Sequence, residues 1–548
     1  MHTQRNIFSV VLLSMVTFTL AAQQKLPVIK EPVFKKDTFN IKKFGAVADG
    51  ITLNTKSINA AIDACNGKGG GVVLVPDGLW LTGPVILKSN VNLHLAANAM
   101  LLFTKDFNEY KLVEGNWEGH AAYRNQSPVS ASGAENIGIT GKGIIDGNGD
   151  AWRAIKRDKL TESQWRKIVA GGGLVSTDQK TWYPSEKSMK GSATKDAGVM
   201  KEGITLADVE AIKDFLRPNL VVLTKCKNIL LEGITFQNSP AWCLHPLMSE
   251  HLTVRGIHVN NPWNAQNGDG IDVESCKNVL IENSVFDAGD DGICIKSGRD
   301  EEGRKRNMPT QDVIVRHCTV YHAHGGFVIG SEMSGGARNI YVSDCSFIGT
   351  DVGLRFTTTR GRGGMVEKIY ISHISMKDIV GEAILFDMYD MAKDPVAMAG
   401  EKREAPKVEM LPVTEATPQF RDFHISDIVC DGADKAIFVR GIPEMHIKDI
   451  TLENMVLQAR KGIDCSEATG IQFNNIRVLS DDTNPVVNVF NSDHISFNKV
   501  MYKDGSDLLF RIGGERTGNI TVNNTDINKA RQKVQFEFGA KEDALTIK

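Results

Sequence analysis

A short phrase of alternating apolar and polar residues recurs from about residue 219 to the end of the chain. Successive copies lie 22 to 34 residues apart, with one interval of 56 that we interpret as two turns of the same length. Strands of period two that repeat at this spacing, with Asn and Gly at the corners, predict the coils of a parallel β-helix. The copies begin at Ile229, Leu252, Val279, Val313, Ile340, Ile369, Ile425, Ile447, Ile471, Ile495 and Ile520.

An all-β parallel helix fits the chain better than a β-sandwich, because strand phrases of one type recur in phase instead of pairing as hairpins. A repeat fold can absorb a long chain as one unit, so residues 22–548 are expected to form a single domain. Two segments lack the repeat, at about 151–216 and 391–417, and are expected to be insertions from the side of the helix. Insertions of that length are usually functional or disordered.

The chain opens with a short basic segment, an apolar run from Ile7 to Leu20 and then Ala21-Ala22-Gln23. This is the order of a secretory signal peptide, here residues 1–21. The apolar run is shorter than the ~20 residues that a permanent membrane span needs. We therefore expect export without a membrane span, to the periplasm of a bacterium or, as the alternative, to the medium.

The net charge is only −3, and the nine cysteines are sparse and odd in number. A polyanionic ligand would therefore have to be held by local Lys and Arg clusters. The cysteines do not make the disulfide framework of a small secreted domain. Cys318 and Cys345 align on adjacent coils and are either a disulfide or two free buried thiols. No nucleotide, haem or zinc pattern occurs, so a monomer with no cofactor, no metal and no nucleic-acid partner is expected.

The second strands of successive coils can be aligned without gaps, and the alignment gives columns of equivalent residues. The aligned segments are SPAWCLHP (239–246), GDGIDVES (268–275), DDGICIKS (290–297), HGGFVIGS (324–331) and DVGLRFTT (351–358). The inward columns are Ile271, Ile293, Phe327 and Leu354, and then Val273, Ile295, Ile329 and Phe356. The columns therefore predict which side chains share one corner of the helix.

Carboxyl groups meet at that corner. Asp269 and Asp291 lie one coil apart, a distance of ~4.8 Å, and His324 follows Asp290 in the same way. Strict alternation would point the two aspartates inward, but Gly270 and its equivalent on the next coil permit a bend that turns them outward. A single Asp at such a corner usually bonds the turn backbone. Like charges repel, however, so a cluster of three carboxyls and an imidazole favours a functional site.

The motifs at this corner resemble those of glycoside hydrolase family 28, the polygalacturonase family. NGDGID (267–272) resembles its Asn-Thr-Asp motif, GDDGICIKSG (289–298) its Asp-Asp motif, AHGG (323–326) its Gly-His-Gly motif and LRF (354–356) the start of its Arg-Ile-Lys motif. Residues 44–65 and 69–83 are similar to the N-terminal cap and first coils of the family. The segment HGGFVIGSEMSGG (324–336) is most similar to exo-acting bacterial members.

The resemblance implies a right-handed, pectin-lyase-like β-helix and hydrolysis of galacturonosidic bonds in pectic oligo- or polysaccharides. It implies that Asp290 is the general acid, that Asp269 and Asp291 activate water, and that His324 tunes Asp290. It implies inversion, which suits carboxyls ~6.5–9.5 Å apart. Other expected substrate contacts are Arg355, Lys296, Asn267, Arg360 and Tyr389. A solvated surface position explains Arg360 equally well, and packing is the commoner explanation of an aromatic residue such as Tyr389.

Two positions depart from the family motifs. Gly268 replaces a threonine, and Thr357 replaces the lysine of the Arg-Ile-Lys motif. Lys296 is in the column of Thr357 but two coils away, ~10 Å by strand spacing, and is expected to serve a different spot. The lost cation predicts a weaker preference for galacturonate on the leaving-group side, where a neutral sugar such as rhamnose would be accepted.

Two other functions remain compatible with a β-helix that carries acidic residues. In a calcium-dependent pectate lyase, Asp269, Asp290 and Asp291 would be metal ligands by type. A non-catalytic β-helix would bind carbohydrate or serve in adhesion. The order of the motifs favours hydrolysis over the first, and the clustered carboxyls favour an enzyme over the second.

Overall fold

The protein was analysed as a computed structural model that describes residues 26–389 and 408–548. The expected signal peptide and most of the expected insertion at 391–417 lie outside these residues. Residues 408–418 form neither helix nor strand. In the described part of the chain, no helix is both long and apolar enough to cross a membrane.

The chain winds as a right-handed parallel β-helix, as the repeat and the resemblance predicted. The larger of its two parallel sheets has 23 strands. They are Thr38–Asn40, Gly71–Val75, Gly78–Thr82, Val91–Leu95, Ala99–Phe103, Glu135–Gly141, Ile144–Asp146, Lys227–Glu232, Thr235–Gln237, Glu250–Arg255, His258–Asn260, Lys277–Glu282, Val285–Asp287, Thr310–Arg316, Thr319–Tyr321, Ala337–Ile348, Met365–Lys377, Gln419–Asp431, Ile447–Ala459, Ala468–Ser480, Ser496–Tyr502, Ile520–Asn523 and Leu545–Ile547.

The second parallel sheet has 14 strands and carries the site. Five of them follow one another on adjacent coils: β1 (Leu244–Leu247), β2 (Ile271–Glu274), β3 (Ile293–Lys296), β4 (Gly325–Ile329) and β5 (Val352–Thr357). The others are Val85–Ile86, Val129–Ser132, Val221–Thr224, Glu382–Asp387, Lys435–Arg440, Lys461–Ser466, Val487–Phe490, Leu508–Gly513 and Gln532–Glu537.

The five α-helices of residues 26–389 and 408–548 lie outside the coils. They are α1 (Thr55–Gly67), α2 (Glu162–Ala170), α3 (Glu186–Ser192), α4 (Leu206–Glu210) and α5 (Asp300–Arg306). The 3-10 helices are Ile41–Phe44, Phe107–Glu109, Gly149–Ala151, Arg157–Lys159, Lys213–Phe215, Ile527–Lys529 and Glu542–Ala544. Residues 151–216 hold α2 to α4 and an antiparallel sheet of Ile155–Lys156, Leu174–Val175 and Thr181–Tyr183. An antiparallel hairpin of Leu112–Trp117 and His120–Asn125, the cover hairpin, was not expected from the sequence.

Asparagines mark the corner at the start of several strand phrases of the larger sheet. Asn136, Asn228, Asn278 and Asn339 all have φ between 53° and 58°, a left-handed conformation that Asn tolerates well. The side-chain amide of Asn228 donates to the amide oxygen of Asn136 at 3.0 Å, and Asn136 donates to Asn90 at 3.1 Å. The recurrent Asn is therefore a corner residue whose side chain bonds its equivalent on the adjacent coil.

The inward columns have the register that the alignment predicted. Ile271 pairs with Ile293, Ile293 with Phe327, and Phe327 with Leu354. All four side chains are fully buried. The nine cysteines are also buried and free in the structure, so Cys318 and Cys345 form no disulfide here.

Two alignments were wrong. Leu244, rather than Trp242, pairs with Ile271, which shifts β1 by two residues. Ile369 pairs with Phe423, and Phe423 with Ile450, so the positions assigned to Ile425 and Ile447 were also displaced. The displacement is two residues at β1 and at Ile425, and an even shift preserves the inward and outward alternation of a strand, so the pattern could not reveal it. The displacement at Ile447 is three residues, and both Ile447 and Ile450 are fully buried, so an inward apolar residue stands at either position. The long interval is thus one coil with an insertion, not two coils.

Candidate active site

Glycines turn the catalytic corner outward. An added Cβ at Gly270 would meet the buried ring of Phe286 at 2.8 Å, and one at Gly292 would meet Val320 at 2.4 Å. Both glycines therefore face the interior, as do the isoleucines that follow them. Consecutive N–H groups of Gly270 and Ile271 both donate to the next coil, at 2.8 and 3.1 Å, which a regular strand does not allow. This bend directs the preceding aspartates away from the core.

The bend brings Asp269, Asp290 and Asp291 together. One carboxylate oxygen from each lies within 4.8 Å of the others. Asp269 and Asp291 are 3% and 4% exposed, whereas Asp290 is more exposed at the edge of the cluster. The sequence had suggested that Asp269 and Asp291 both face an open cleft. In the structure these two aspartates are buried and form the floor of the site. The spacing is also shorter than the ~6.5–9.5 Å expected for an inverting pair, because adjacent coils are only ~4.8 Å apart.

The electrostatics of the cluster separate its members. Burial, and then the negative charge of Asp291, raise the pKa of Asp290 to about 6. Burial raises the pKa of Asp269 well above its ordinary value, and repulsion from Asp272 and Asp290 adds to the effect. The carboxyl group of Asp290 thus holds a proton at mildly acidic pH, as a general acid must.

His324 lies at the exposed edge of the cluster. Its backbone N–H donates to the carbonyl oxygen of Asp290 at 2.8 Å, as the column predicted. The imidazole Nδ1 lies 2.8 Å from a carboxylate oxygen of Asp351 instead of bonding the Asp290 side chain. Its charge still opposes the rise in the pKa of Asp290. The imidazole therefore acts on Asp290 through space.

Arg355 reaches the cluster from β5. One of its guanidinium nitrogens lies 3.3 Å from the carboxylate Oδ1 of Asp291. The side chain projects outward between the inward Leu354 and Phe356. Arg355 is thus placed two coils beyond Asp291, on the C-terminal side of the cluster.

Lys296 is in a buried charge network instead of at an open substrate contact. Its ammonium lies 2.8 Å from Glu332, 3.8 Å from Asp272 and 3.3 Å from the carbonyl of Gly330. Burial raises the pKa of Glu332, but Lys296, together with Arg362 and Arg299, outweighs burial and lowers that pKa to about 2. Lys296 is 5% exposed and is occupied by protein carboxylates, and its expected substrate contact stays a prediction. The sequence could not indicate Glu332, which follows β4 in an irregular segment.

Arg360 and Tyr389 are held by protein contacts. Arg360 forms two bonds to the carboxylate of Glu444, at 2.6 and 2.8 Å. The Tyr389 ring lies 5.4 Å from the Arg360 guanidinium and 5.1 Å from that of Arg440, and the residue is 9% exposed. The packed explanation therefore describes Tyr389 better than a sugar-stacking ring. The sequence could not distinguish these, because an aromatic residue suits both.

The cover hairpin and α5 form a cover over the outer face of β1 to β3. The indole of Trp117, at the tip of the cover hairpin, stacks on that of Trp242 with centroids 5.7 Å apart. Beneath the cover, His245 and Glu274 are in contact at 2.9 Å, and Arg306 of α5 bonds Glu274 at 2.6 Å. This cover buries outward side chains that would be solvated on a bare β-helix. The hairpin and α5 lie outside the repeat, so periodicity gave no signal for them.

A cavity of about 850 Å³ adjoins the cluster on its N-terminal side. Its lining includes Asn267 and Gly289, neighbours in sequence of Asp269 and Asp290. Most of the remaining wall comes from the cover hairpin and residues 150–217. Asn267 accepts a hydrogen bond from Arg217 at 2.8 Å, so the side chain expected to contact substrate also positions an arginine. The long insertion therefore shapes one side of the site.

Comparisons with known proteins agree with these features. The model of "Glycosyl hydrolases family 28" matches residues 211–415, and that of "Rhamnogalacturonase A/epimerase, pectate lyase-like" matches residues 38–183. The chain is 28% identical to a probable polygalacturonase of Vitis vinifera over 76% of this chain and 73% of that protein. It is 28% identical to an exo-poly-alpha-D-galacturonosidase of Dickeya chrysanthemi over 80% and 70%.

A solved structure extends the comparison. The chain shares 31% identity with a hyperthermoactive exopolygalacturonase from Thermotoga maritima, with a TM-score of 0.63, over 79% of this chain and 89% of that one. The residues 211–415 that the family model matches include the carboxylate corner described above. The chain belongs to the glycosyl hydrolases family 28.

Proposed function

We propose that this protein is an exo-acting hydrolase of galacturonosidic bonds in pectin or its oligosaccharides. The observation that carries the proposal is the cluster of Asp269, Asp290 and Asp291 beside a cavity walled by an insertion. Relatives named as polygalacturonases, including exo-acting ones, support the substrate and the mode of action.

The proposed mechanism assigns Asp290 as the general acid, because it is the most exposed of the three and has a pKa near 6. Asp269 and Asp291 hold the attacking water. Two O–H···O bonds of ~2.7–2.8 Å meeting at one water span up to ~5.5 Å, so oxygens within 4.8 Å suit a shared water. Direct attack by that water inverts the anomeric centre.

The direction of the substrate follows from the two sides of the cluster. The resemblance assigns Arg355 to the sugar on the leaving-group side, and Arg355 lies on the C-terminal side. The cavity lies on the other side, where the insertion limits how far a chain can extend. The end of the substrate on the non-leaving side of the scissile bond would occupy the cavity. The enzyme would therefore release product from a chain end.

We also propose that the leaving-group side accepts a neutral sugar. Thr357 is 2% exposed, and its hydroxyl has no hydrogen-bond partner among the described residues. Threonine carries no charge, so position 357 offers no cation to the carboxylate of a galacturonate on the leaving-group side. The test compares kcat/KM for a galacturonate-galacturonate disaccharide with that for a galacturonate-rhamnose disaccharide, in wild type and Thr357→Lys. A strong wild-type preference for the first, unaltered by the lysine, would remove this proposal.

The main proposal is tested by incubating the protein with defined oligogalacturonides and polygalacturonan. Single short products from chain ends, with slow loss of viscosity, are expected, and NMR of the first product should show the inverted anomer. Rapid viscosity loss with early products of mixed length would contradict exo action. A product with an ultraviolet-absorbing double bond, formed only without a chelator, would instead identify a calcium-dependent lyase.

We further propose that the protein is exported and acts in the periplasm, as a monomer. The export proposal rests on the apolar run from Ile7 to Leu20 and the small residues after it. Cell fractionation of a producing bacterium, with N-terminal sequencing of the mature protein, tests it. Retention in the cytoplasm with residues 1–21 intact would contradict it.

A further inference from the structure

The cavity beside the carboxylates carries an excess of positive charge. Its acidic lining residues are already ion-paired: Asp150 with Arg153 at 2.8 Å, Glu118 with Arg299 at 3.2 Å and Asp196 with Lys201 at 3.3 Å. The remaining cations of the lining are Arg124 and Arg217, with the exposed Lys156 and Lys159. The cavity is thus lined for an anionic occupant.

Arg124 and Arg217 lie together in its wall. The Arg124 guanidinium lies 3.7 Å from the centre of the Trp117 ring and donates to the backbone carbonyl of Arg217. Arg217 donates to the carbonyl oxygens of Pro240 and Gln266, at 2.9 and 2.7 Å, and to the Asn267 amide oxygen at 2.8 Å. Within the described part of the chain, these hydrogen-bond acceptors are all neutral. A guanidinium has five N–H donors, so several remain for a ligand.

Two neighbouring arginine cations in the wall of a cavity lower the stability of the fold unless an anion lies beside them. Arg124 is 7% exposed. Burial, and then the charge of Arg217, lower its pKa, while Glu118 opposes them. Burial, and then the charge of Arg153, lower the pKa of Arg217 to about 10. A buried charge without an opposite partner destabilises a protein by several kcal/mol, which an anionic ligand would offset.

The pair also lies beside the reaction centre. The negative charges of Asp269 and Asp290 act on Arg217 and raise its pKa against these effects. Asn267, which Arg217 bonds, is two residues from Asp269. An anion held by the pair would therefore belong to the sugar next to the scissile bond.

We propose that Arg124 and Arg217 form a carboxylate-recognition site for the uronate residue on the side of the scissile bond that does not leave. The inference rests on the proposed hydrolysis of galacturonosides and extends it to the residues that select a uronate over a neutral hexose. The planar, forked donors of arginine suit a carboxylate, and Trp117 fixes the orientation of one fork.

Aryl glycosides isolate this subsite, because they carry one sugar. We would measure kcat/KM for 4-nitrophenyl α-D-galacturonide and 4-nitrophenyl α-D-galactoside, which differ only at C6. Arg124→Gln and Arg217→Gln should each lower the galacturonide value by ~10–100-fold more than the galactoside value. Arg124→Lys should recover part of the loss. Arg255→Gln is the matched control, since Arg255 pairs with Glu31 and Glu282 on the opposite sheet.

An unchanged galacturonide-to-galactoside ratio in both glutamine variants, or equal losses on both substrates, would overturn the inference. Should wild type cleave neither the aryl galacturonide nor oligogalacturonides, the proposed function fails by itself. The subsite is then tested by thermal stabilisation with D-galacturonate and with D-galactose. A galacturonate-specific rise in Tm that Arg124→Gln abolishes supports the inference, and no such rise in wild type refutes it. If Arg124→Gln does not fold, Arg124→Lys and Arg217→Gln carry the test.

Discussion

At the scale of residues, three aspartates of the same chemistry acquire different properties from their surroundings. Asp291 has an arginine partner at 3.3 Å, Asp269 is buried at the floor of the cluster, and Asp290 lies at its edge. Like charges this close cannot all ionise at the ordinary aspartate pKa. The three carboxyl groups therefore lie in different environments without any change of residue type, and burial raises the pKa of both Asp269 and Asp290.

The pH profile should report Asp290. A general acid works in its protonated form, which is present below a pKa of about 6 and lost above it. We expect kcat/KM to fall as pH rises through about 6, and Asp290→Asn to lose ~10²–10⁴-fold in kcat while remaining folded. Initial rates from pH 4 to 8 and circular dichroism provide the measurement. Near-wild-type turnover by Asp290→Asn would refute the assignment.

Lys296 should support both the fold and the pKa of Asp290. Lys296→Met leaves Glu332 buried without its nearest cation, which typically costs ~3–5 kcal/mol. Because the ammonium opposes the rise in the pKa of Asp290, its loss should move the basic limb of the profile to higher pH. Urea denaturation and rate profiles measure the two effects.

An exposed ion pair supplies the control for this variant. Lys503→Met breaks a surface pair with Asp481 and should cost only ~0–1 kcal/mol, with no change in the profile. Equal destabilisation by the two substitutions would contradict the role of the buried network.

At the scale of elements, the corner before β2 and β3 is shaped by steric exclusion. Gly292 lies so close to Val320 that no side chain fits, and its inward position sends Asp290 and Asp291 outward. The glycine is needed for space, since its φ is not among the positive values of the chain. The corner thus links interior packing to the geometry of the site.

A methyl group at this corner should disturb both stability and activity. Gly292→Ala is expected to cost ~1–3 kcal/mol through overpacking and to lower kcat by displacing the two carboxyls. Gly67→Ala, at the open end of α1 with no atom within 4 Å of an added Cβ, is the control. A fully active, wild-type-stable Gly292→Ala enzyme would show that the corner tolerates displacement.

At the scale of the whole molecule, the interior columns tie the site to distant coils. Phe386 is fully buried, with its ring 4.6 Å from Phe356 of β5 and 5.0 Å from Phe423. Phe356 is adjacent in sequence to Arg355. Packing in the later coils therefore bears on the position of that guanidinium.

Removing one ring of this interior stack should destabilise the molecule as a unit. Phe386→Ala is expected to cost ~3–5 kcal/mol by forming a cavity. Thermal loss of activity and of circular dichroism should shift together to lower temperature. Val429→Ala, at a position 51% exposed on the neighbouring sheet, should leave both within ~0.5 kcal/mol of wild type. Separate shifts of the two signals would show that the coils near the site unfold independently.

The repeat pattern predicted most of the coils, the inward columns from Ile271 to Leu354 and the convergence of Asp269, Asp290 and Asp291. These features follow from local alternation and from the fixed distance between adjacent coils, both of which a linear pattern records. It could not determine the two-residue shift of β1, because alternation is unchanged by an even shift.

The surroundings of the carboxylate corner depend on tertiary contacts that the repeat does not record. The Lys296 network, the packing of the cover hairpin on Trp242 and the meeting of Arg124 with Arg217 join segments that lie apart in the sequence and share no period. Such contacts depend on how irregular loops pack against the coils, and no local pattern encodes that packing. The repeat therefore indicated where bond cleavage takes place, and the folded insertions determined the cavity beside it.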